Sequence, residues 1–199
     1  MPNRYSTYDS FSLMVREGNW VVLDTETTGL GDNAQIVDLA IVAADGRVIF
    51  NQLIKPTIPI ENGAAQACGI SDDMVADALS WKEVQPMVFE MIRGFNVVTY
   101  GATFDRRIFH QSDRGNGLPE TDYCKFSNWC CAMEAFADLY GEINPRFGTK
   151  TWKKLVVAAE YFDLGEFAAH RALADAEMTR KVALGMAQLW AVDNLGNVR

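Results

Sequence analysis

Long apolar runs are missing from this chain. None approaches the roughly 20 residues that span a bilayer, and 49% apolar with 22% charged residues is the balance of a globular domain rather than of a membrane protein. Met1 to Asn19 lacks the basic start and apolar core of a secretory signal, which makes the cytoplasm the default location. Cysteine is scarce: Cys68, Cys124, Cys130 and Cys131 outline neither a disulfide framework nor a paired CxxC zinc pattern, and read as reduced, mostly buried thiols. Positive charge is short as well, with 18 Lys and Arg against 26 Asp and Glu and a net charge of −8. That balance excludes a protein that coats nucleic acid through a basic surface. An acidic enzyme acting on a polyanion would need cations at its site, the first pointer to metal. With only two histidines in the chain, a general base near neutral pH reduces to His110 or His170.

What is present fits one domain, over 20–199, behind an N-terminal extension over 1–19 that is either ordered or a loose arm. Val21 to Asp24 reads as a strand, and Ile36 to Ala43, Asp45-Gly46 and Arg47 to Ile54 as a hairpin. After a Pro-containing loop (Lys55 to Pro59), Ser80 with Glu83 forms a capping box for a helix that stops near Gly94. Phe95 to Tyr100 is a fourth strand, Thr103 to Ser112 a helix, and Trp129 to Cys131 a short fifth strand leading into a helix over Met133 to Tyr140. Helices over Thr151 to Phe162 and Arg171 to Val192 complete the chain. A meander of strands followed by alternating strands and helices predicts an α/β fold with a mixed five-stranded sheet flanked by helices.

The chemistry-bearing residues fall at the ends of these elements. Asp24 and Glu26 lie two apart on a strand, so both carboxylates share one face, a pattern suited to divalent metal. A solvated strand end would use the same residues, and Asp105 alone would serve as a first-turn acid on a helix dipole. Thr27-Thr28-Gly29 turns the chain, and its backbone can approach a nucleotide. His170 and Asp175 are five apart, about 140° on a regular helix, so His170 belongs on the preceding loop or the helix entry and Asp175 inside the helix. His110, mid-helix, reads as structural. The basic residues fall in small groups, Arg106-Arg107, Lys150 with Lys153-Lys154, and Arg180-Lys181, as a solvated helix face would place them, while Arg106, Arg107 or Arg171, next to a candidate ligand, could hold a phosphate. Phe104 is the aromatic best placed to touch a base.

Leu23-Asp24-Thr25-Glu26-Thr27-Thr28-Gly29-Leu30, Thr103-Phe104-Asp105 and His170-Arg171-Ala172-Leu173-Ala174-Asp175-Ala176 together resemble the three motifs of the DEDD exonuclease superfamily, in its histidine-containing DEDDh branch. The resemblance runs from about Trp20 to Trp190. It implies a ribonuclease H-like fold and a two-metal 3′-to-5′ exonuclease. Asp24, Glu26 and Asp175 would hold one Mg²⁺, Asp24 and Asp105 a second, with Mn²⁺ able to substitute, and His170 would deprotonate the attacking water. Thr27, Gly29, Leu30 and Phe104 would contact substrate, a nucleic-acid 3′ end, with single-stranded DNA favoured over RNA. The assemblies it suggests are a homodimer or a polymerase-type partner. Tyr100-Gly101 stands where the family usually has His-Asn, and Cys68-Gly69-Ile70 where it often has His-Gly-Ile, so base and sugar contacts stay open. Rival readings are a non-catalytic binding module on the same scaffold, which would have lost one of the five motif residues, and a phosphatase with Asp24 as nucleophile.

Overall fold

The apolar stretches of the first half become the middle of a sheet. A computed structural model describes residues 7–196; residues 1–6 and 197–199, at the outer ends of the expected extension and domain, lie outside the described residues. The strands are β1 (Trp20–Thr27), β2 (Ile36–Ala43), β3 (Val48–Lys55), β4 (Leu79–Ser80), β5 (Asn96–Thr99) and β6 (Asn128–Cys131), in the order β4-β3-β2-β1-β5-β6. β1, β2 and β3 pair antiparallel, β5 and β6 continue parallel to β1, and β4 runs parallel to β3. The expected mixed sheet therefore has six strands rather than five. Two residues are too few to show alternation, and Ser80 doubles as the helix cap, which hides β4 in the sequence.

Helices cover both faces, which is why β2 is buried at every position. They are α1 (Thr7–Glu17), α2 (Asn62–Cys68), α3 (Asp72–Val75), α4 (Trp81–Ile92), α5 (Ala102–Gly115), α6 (Ala132–Tyr140), α7 (Leu155–Tyr161) and α8 (Ala172–Leu195). On one face Trp20, Val22, Ala40 and Val42 pack with Phe11 and Val15 of α1, Phe136 of α6, and Ala176, Val182 and Met186 of α8. On the other, Val21, Leu23, Leu39 and Ile41 meet Trp81, Val84, Val88 and Ile92 of α4 with Ile108 and Phe109 of α5. A smaller core of Val37, Ile60, Cys68, Ile70 and Val75 seats α2 and α3.

The capping box is present: the Ser80 N–H donates to the Glu83 carboxylate at 2.8 Å. The helix expected from Thr151 starts at Leu155, because the chain is extended through its N-cap, Lys154. α2 and α3 occupy a stretch for which the sequence predicts only a loop at its start. Before β1, α1 is ordered against the core, its Tyr8 hydroxyl donating to the Met186 carbonyl at 3.1 Å and its Asp9 accepting from the Trp190 indole at 2.8 Å. All four cysteines are free; Cys68 is buried, Cys130 and Cys131 are half-buried, and Cys124 is exposed, so fewer are interior than expected. No helix among the described residues is long and apolar enough to cross a membrane.

Candidate active site

Alternation along β1 points Trp20 and Val22 toward α8, and the same face continues to Asp24 and Glu26. The pairing of β1 with β2 runs in register as far as Glu26 opposite Asp38, then shifts at Glu26/Thr27, a bulge that turns the strand away just beyond the acidic pair. Thr25, on the opposite face, donates its hydroxyl to Asp105 Oδ1 at 3.0 Å. Asp105, buried in the first turn of α5, is thereby tied to the strand carrying Asp24 and Glu26.

The third motif folds as its spacing predicts. His170 precedes Arg171, the N-cap of α8, and Asp175 sits in that helix's first turn. His170 takes a left-handed backbone, φ +67°, uncommon for a non-glycine residue. Its N–H donates to Asp175 Oδ2 at 3.0 Å. Glu26, His170 and Asp175 each present a ligand atom within 4.8 Å of the others. His110 is absent from this cluster; its ring packs on Tyr123 with centroids 5.8 Å apart.

Burial makes the cluster electrostatically costly. It lifts Asp24 well above the usual carboxylate range, with the charges of Asp105, Asp175 and Glu26 adding to the rise. Glu26 is pushed up to about 7 by burial and then by Asp175 and Asp38, against a lowering by Arg171. Burial takes Asp105 to about 6 despite the Thr25 hydrogen bond, and raises Asp175 despite the His170 N–H. Asp38 was not among the residues singled out in the sequence. It lies opposite Glu26, almost wholly buried, with Oδ2 accepting from Arg171 Nε at 3.0 Å and Oδ1 unpartnered. Arg171 is thus engaged with Asp38 through Nε, while its side chain stays about half exposed. Carboxylate oxygens converging in excess over the nearby positive charge, with one imidazole beside them, are a donor set that fits hard divalent cations.

Arg171→Met would leave Asp38 as an unpaired buried charge and is expected to lower stability by about 3 kcal/mol, a fall in melting temperature of roughly 6–12 °C for a chain of this size. A drop below about 2 °C in a thermal melt would show that Asp38 does not depend on Arg171.

Beside the cluster lies a hollow of about 500 Å³ lined by Thr25, Glu26, Thr27, Gly29, Leu30, Phe104 and His170, and from the other flank by Glu61, Gly63, Ala64 and Ala67. The four residues expected to contact substrate thus share one cavity. Thr27 Oγ1 donates to the Gly29 carbonyl at 2.7 Å, and the Glu61 N–H donates to the Thr28 carbonyl at 2.8 Å. A Cβ on Gly29 would meet the Glu61 carboxylate, the movable end of an exposed side chain, so the two sides of the hollow approach closely here. Leu30 stands 75% exposed at the rim. Phe104 is half-buried, with the Arg107 guanidinium 5.3 Å from its centroid. The flank from α2 had no motif to announce it. Of the two departures from the family pattern, Cys68 faces the small core and the Tyr100 hydroxyl donates to the Lys153 carbonyl at 2.8 Å.

The RNase T family, described as exonuclease, matches residues 21–183. Exonuclease CP81 of Escherichia phage 186, itself uncharacterized, is 40% identical over 166 residues, 82% of this chain and 85% of that protein. A PolC-type DNA polymerase III of Caldanaerobacter subterraneus subsp. tengcongensis is 30% identical over 85% of this chain, which spans 12% of that polymerase. Among solved structures, Exonuclease X in complex with 5′ overhanging duplex DNA superposes with a TM-score of 0.64 at 26% identity, over 85% of this chain and 92% of that one. The nuclease domain of 3′hExo, a DEDDh family member bound to rAMP, shares the fold with a TM-score of 0.67 at 18% identity, over 85% and 91%. With the motif residues gathered at one end of a ribonuclease H-like sheet, the chain belongs to the RNase T exonuclease family and is a hydrolase of the 3′-to-5′ exonuclease type.

Proposed function

We propose that this chain trims 3′ ends of single-stranded DNA in the cytoplasm, releasing nucleoside 5′-monophosphates, with Asp24, Glu26, Asp105 and Asp175 holding two divalent cations. Mg²⁺ is the physiological choice in this reading, with Mn²⁺ able to substitute. The observation that carries it is the convergence of Glu26, His170 and Asp175 within 4.8 Å at the edge of a nucleotide-sized hollow, beside the half-buried Asp24. Bound cations would supply Lewis-acid neutralisation of the scissile phosphate.

The chain's own groups do the rest. His170, exposed where the cluster meets the hollow, accepts the proton of the attacking water, and its N–H bond to Asp175 holds it there. The Thr27-to-Leu30 turn receives the terminal sugar, and Phe104 offers a ring to the base. DNA is preferred over RNA because a polymerase relative and the Exonuclease X complex both concern DNA. A polymerase-type partner or a second copy of the chain is the assembly to seek by light scattering.

The test uses 5′-labelled single-stranded DNA and RNA of matched sequence with Mg²⁺, Mn²⁺ or EDTA, beside His170→Ala. Expected is a metal-dependent ladder shortening from the 3′ end, faster on DNA, and slowed about 10²- to 10⁴-fold in the variant. A folded protein that cleaves neither polymer in either metal would sink the reading and favour a non-catalytic module.

A further inference from the structure

Residues 143–154 hold four cations, Arg146, Lys150, Lys153 and Lys154, and no acid, in a chain whose net charge is −8. The segment is an ordered hairpin rather than a loose loop. Ile143 bridges Lys150, the Asn144 N–H donates to the Thr149 carbonyl at 2.8 Å, and the Thr151 N–H donates to the Glu142 carbonyl at 2.9 Å. Two of its lysines anchor it: Lys153 pairs with Glu142 and sits 4.6 Å from the Tyr140 ring centroid, and Lys150 reaches Asp138 at 3.4 Å. Arg146 and Lys154 make no ion pair among the described residues. The hairpin displays Phe147, 67% exposed with the Arg146 guanidinium 5.2 Å from its centroid, and Trp152, 65% exposed. Among the described residues only Leu30, at the rim of the nucleotide hollow, is a more exposed large apolar side chain.

The fold ties this hairpin to the segment that leads to Asp105. The Tyr100 hydroxyl bonds to the Lys153 carbonyl, and Tyr100 follows β5 on the way to Asp105. Lys154 caps α7, whose Val156 lines a cavity of about 560 Å³ together with Ala169, the neighbour of His170. The hollow for a terminal nucleotide is flanked by α2, which is seated on β2 and β3. On the exonuclease reading, a strand with its 3′ end in that hollow and its scissile phosphate at the carboxylates would have its upstream part free to run toward β5, the sheet neighbour of β1 on the side away from β2. The hairpin is tied to the end of β5 through Tyr100.

We propose that the 143–154 hairpin is a second nucleic-acid contact, gripping the single strand upstream of the scissile bond. Phe147 and Trp152 stack on upstream bases, and Arg146 and Lys154 meet their phosphates. Exposed aromatics interleaved with cations are what a sequence-tolerant single-strand platform requires, and a local positive segment is what an acidic protein needs to hold a polyanion. The proposal rests on the exonuclease reading for its direction along the strand.

Two double variants test it, Phe147→Ala/Trp152→Ala and Arg146→Gln/Lys154→Gln, with melting temperatures checked against the parent. Cleavage is compared on a labelled 12-mer of thymidylate and on the p-nitrophenyl ester of thymidine 5′-monophosphate, which carries the scissile bond without an upstream strand. Binding of the 12-mer is read separately by fluorescence anisotropy with Ca²⁺ in place of Mg²⁺. The aromatic variant is expected to weaken 12-mer binding and raise its KM by about ten- to a hundredfold, leaving hydrolysis of the ester within about twofold. The charge variant is expected to flatten the salt dependence of binding. Unchanged 12-mer binding in both variants, or equal losses on both substrates, overturns the proposal. A parent protein that cleaves neither substrate, yet binds the 12-mer through the aromatic pair, would refute the exonuclease reading and leave the contact standing.

Discussion

Asp24→Asn is expected to reduce exonuclease turnover by about a thousandfold or more while raising the melting temperature of the metal-free protein. Both effects have one cause. Asp24 is half-buried, and its loss of solvent together with the charges of Asp105, Asp175 and Glu26 pushes its carboxyl far up. Without a cation the folded state therefore bears an uncompensated repulsion that the unfolded chain does not. Asparagine keeps the shape and removes the charge, so the metal-free protein gains an expected 3–8 °C or so. With metal the order is expected to reverse, because on the proposed two-cation reading the variant lacks one of the carboxylates that would hold the ions. About 4 kcal/mol of transition-state stabilisation corresponds to the predicted thousandfold. Single-turnover cleavage and thermal melts with and without Mg²⁺ check the two halves together; a variant retaining a tenth or more of the parent's rate would remove Asp24 from the metal-holding role.

The metal-free protein should also lose stability as pH rises from 5 to 8, opposite to the trend of a protein whose acids are salt-bridged. In the fold Glu26 titrates near 7 and Asp105 near 6, and both values are raised chiefly by burial. The folded state therefore keeps protons that an unfolded chain has released by about pH 5, and stability declines wherever the folded state binds more protons. This contribution is whole below the unfolded values and is lost as pH climbs through 6 and 7. The lowered acids Asp45, Glu83 and Glu142 are surface groups whose opposite slope falls at lower pH. A decline in melting temperature of about 5 °C across this window is expected, and millimolar Mg²⁺ or Mn²⁺ should restore it at pH 8, because a ligand bound only by the folded state stabilises by mass action. A metal-free melting temperature that climbs steadily from pH 5 to 8 would contradict the buried-cluster electrostatics.

The parts of this protein legible in the sequence are those whose cause is local. Asp24 and Glu26 share a face because β-strands have a period of two, and the pair could be read without knowing what lies across from it. His170 and Asp175 had to straddle a helix start because five residues cannot return to one helical face, and φ +67° at His170 with Asp175 in the first turn of α8 is how the chain meets that constraint. The capping box at Ser80 and Glu83 is likewise a matter of three residues.

Only the tertiary structure decided the rest. Asp38 is one polar residue in Val37-Asp38-Leu39, and nothing local says that its carboxylate is buried. That follows from a register that places it opposite Glu26 and from Arg171, which arrives on an element more than 130 residues later. The two-residue β4 exists because the edge of β3 was available to pair, and α1 because Phe11 and Val15 found the face of α8. The same holds for the basic hairpin, four ordinary cations in the sequence that long-range packing ties to Tyr100 at the end of β5. Strand period, helix angle and cap chemistry act over a few residues and are written in the chain. Register, burial and charge compensation join segments far apart, and they come into being only when the sheet and its helices close.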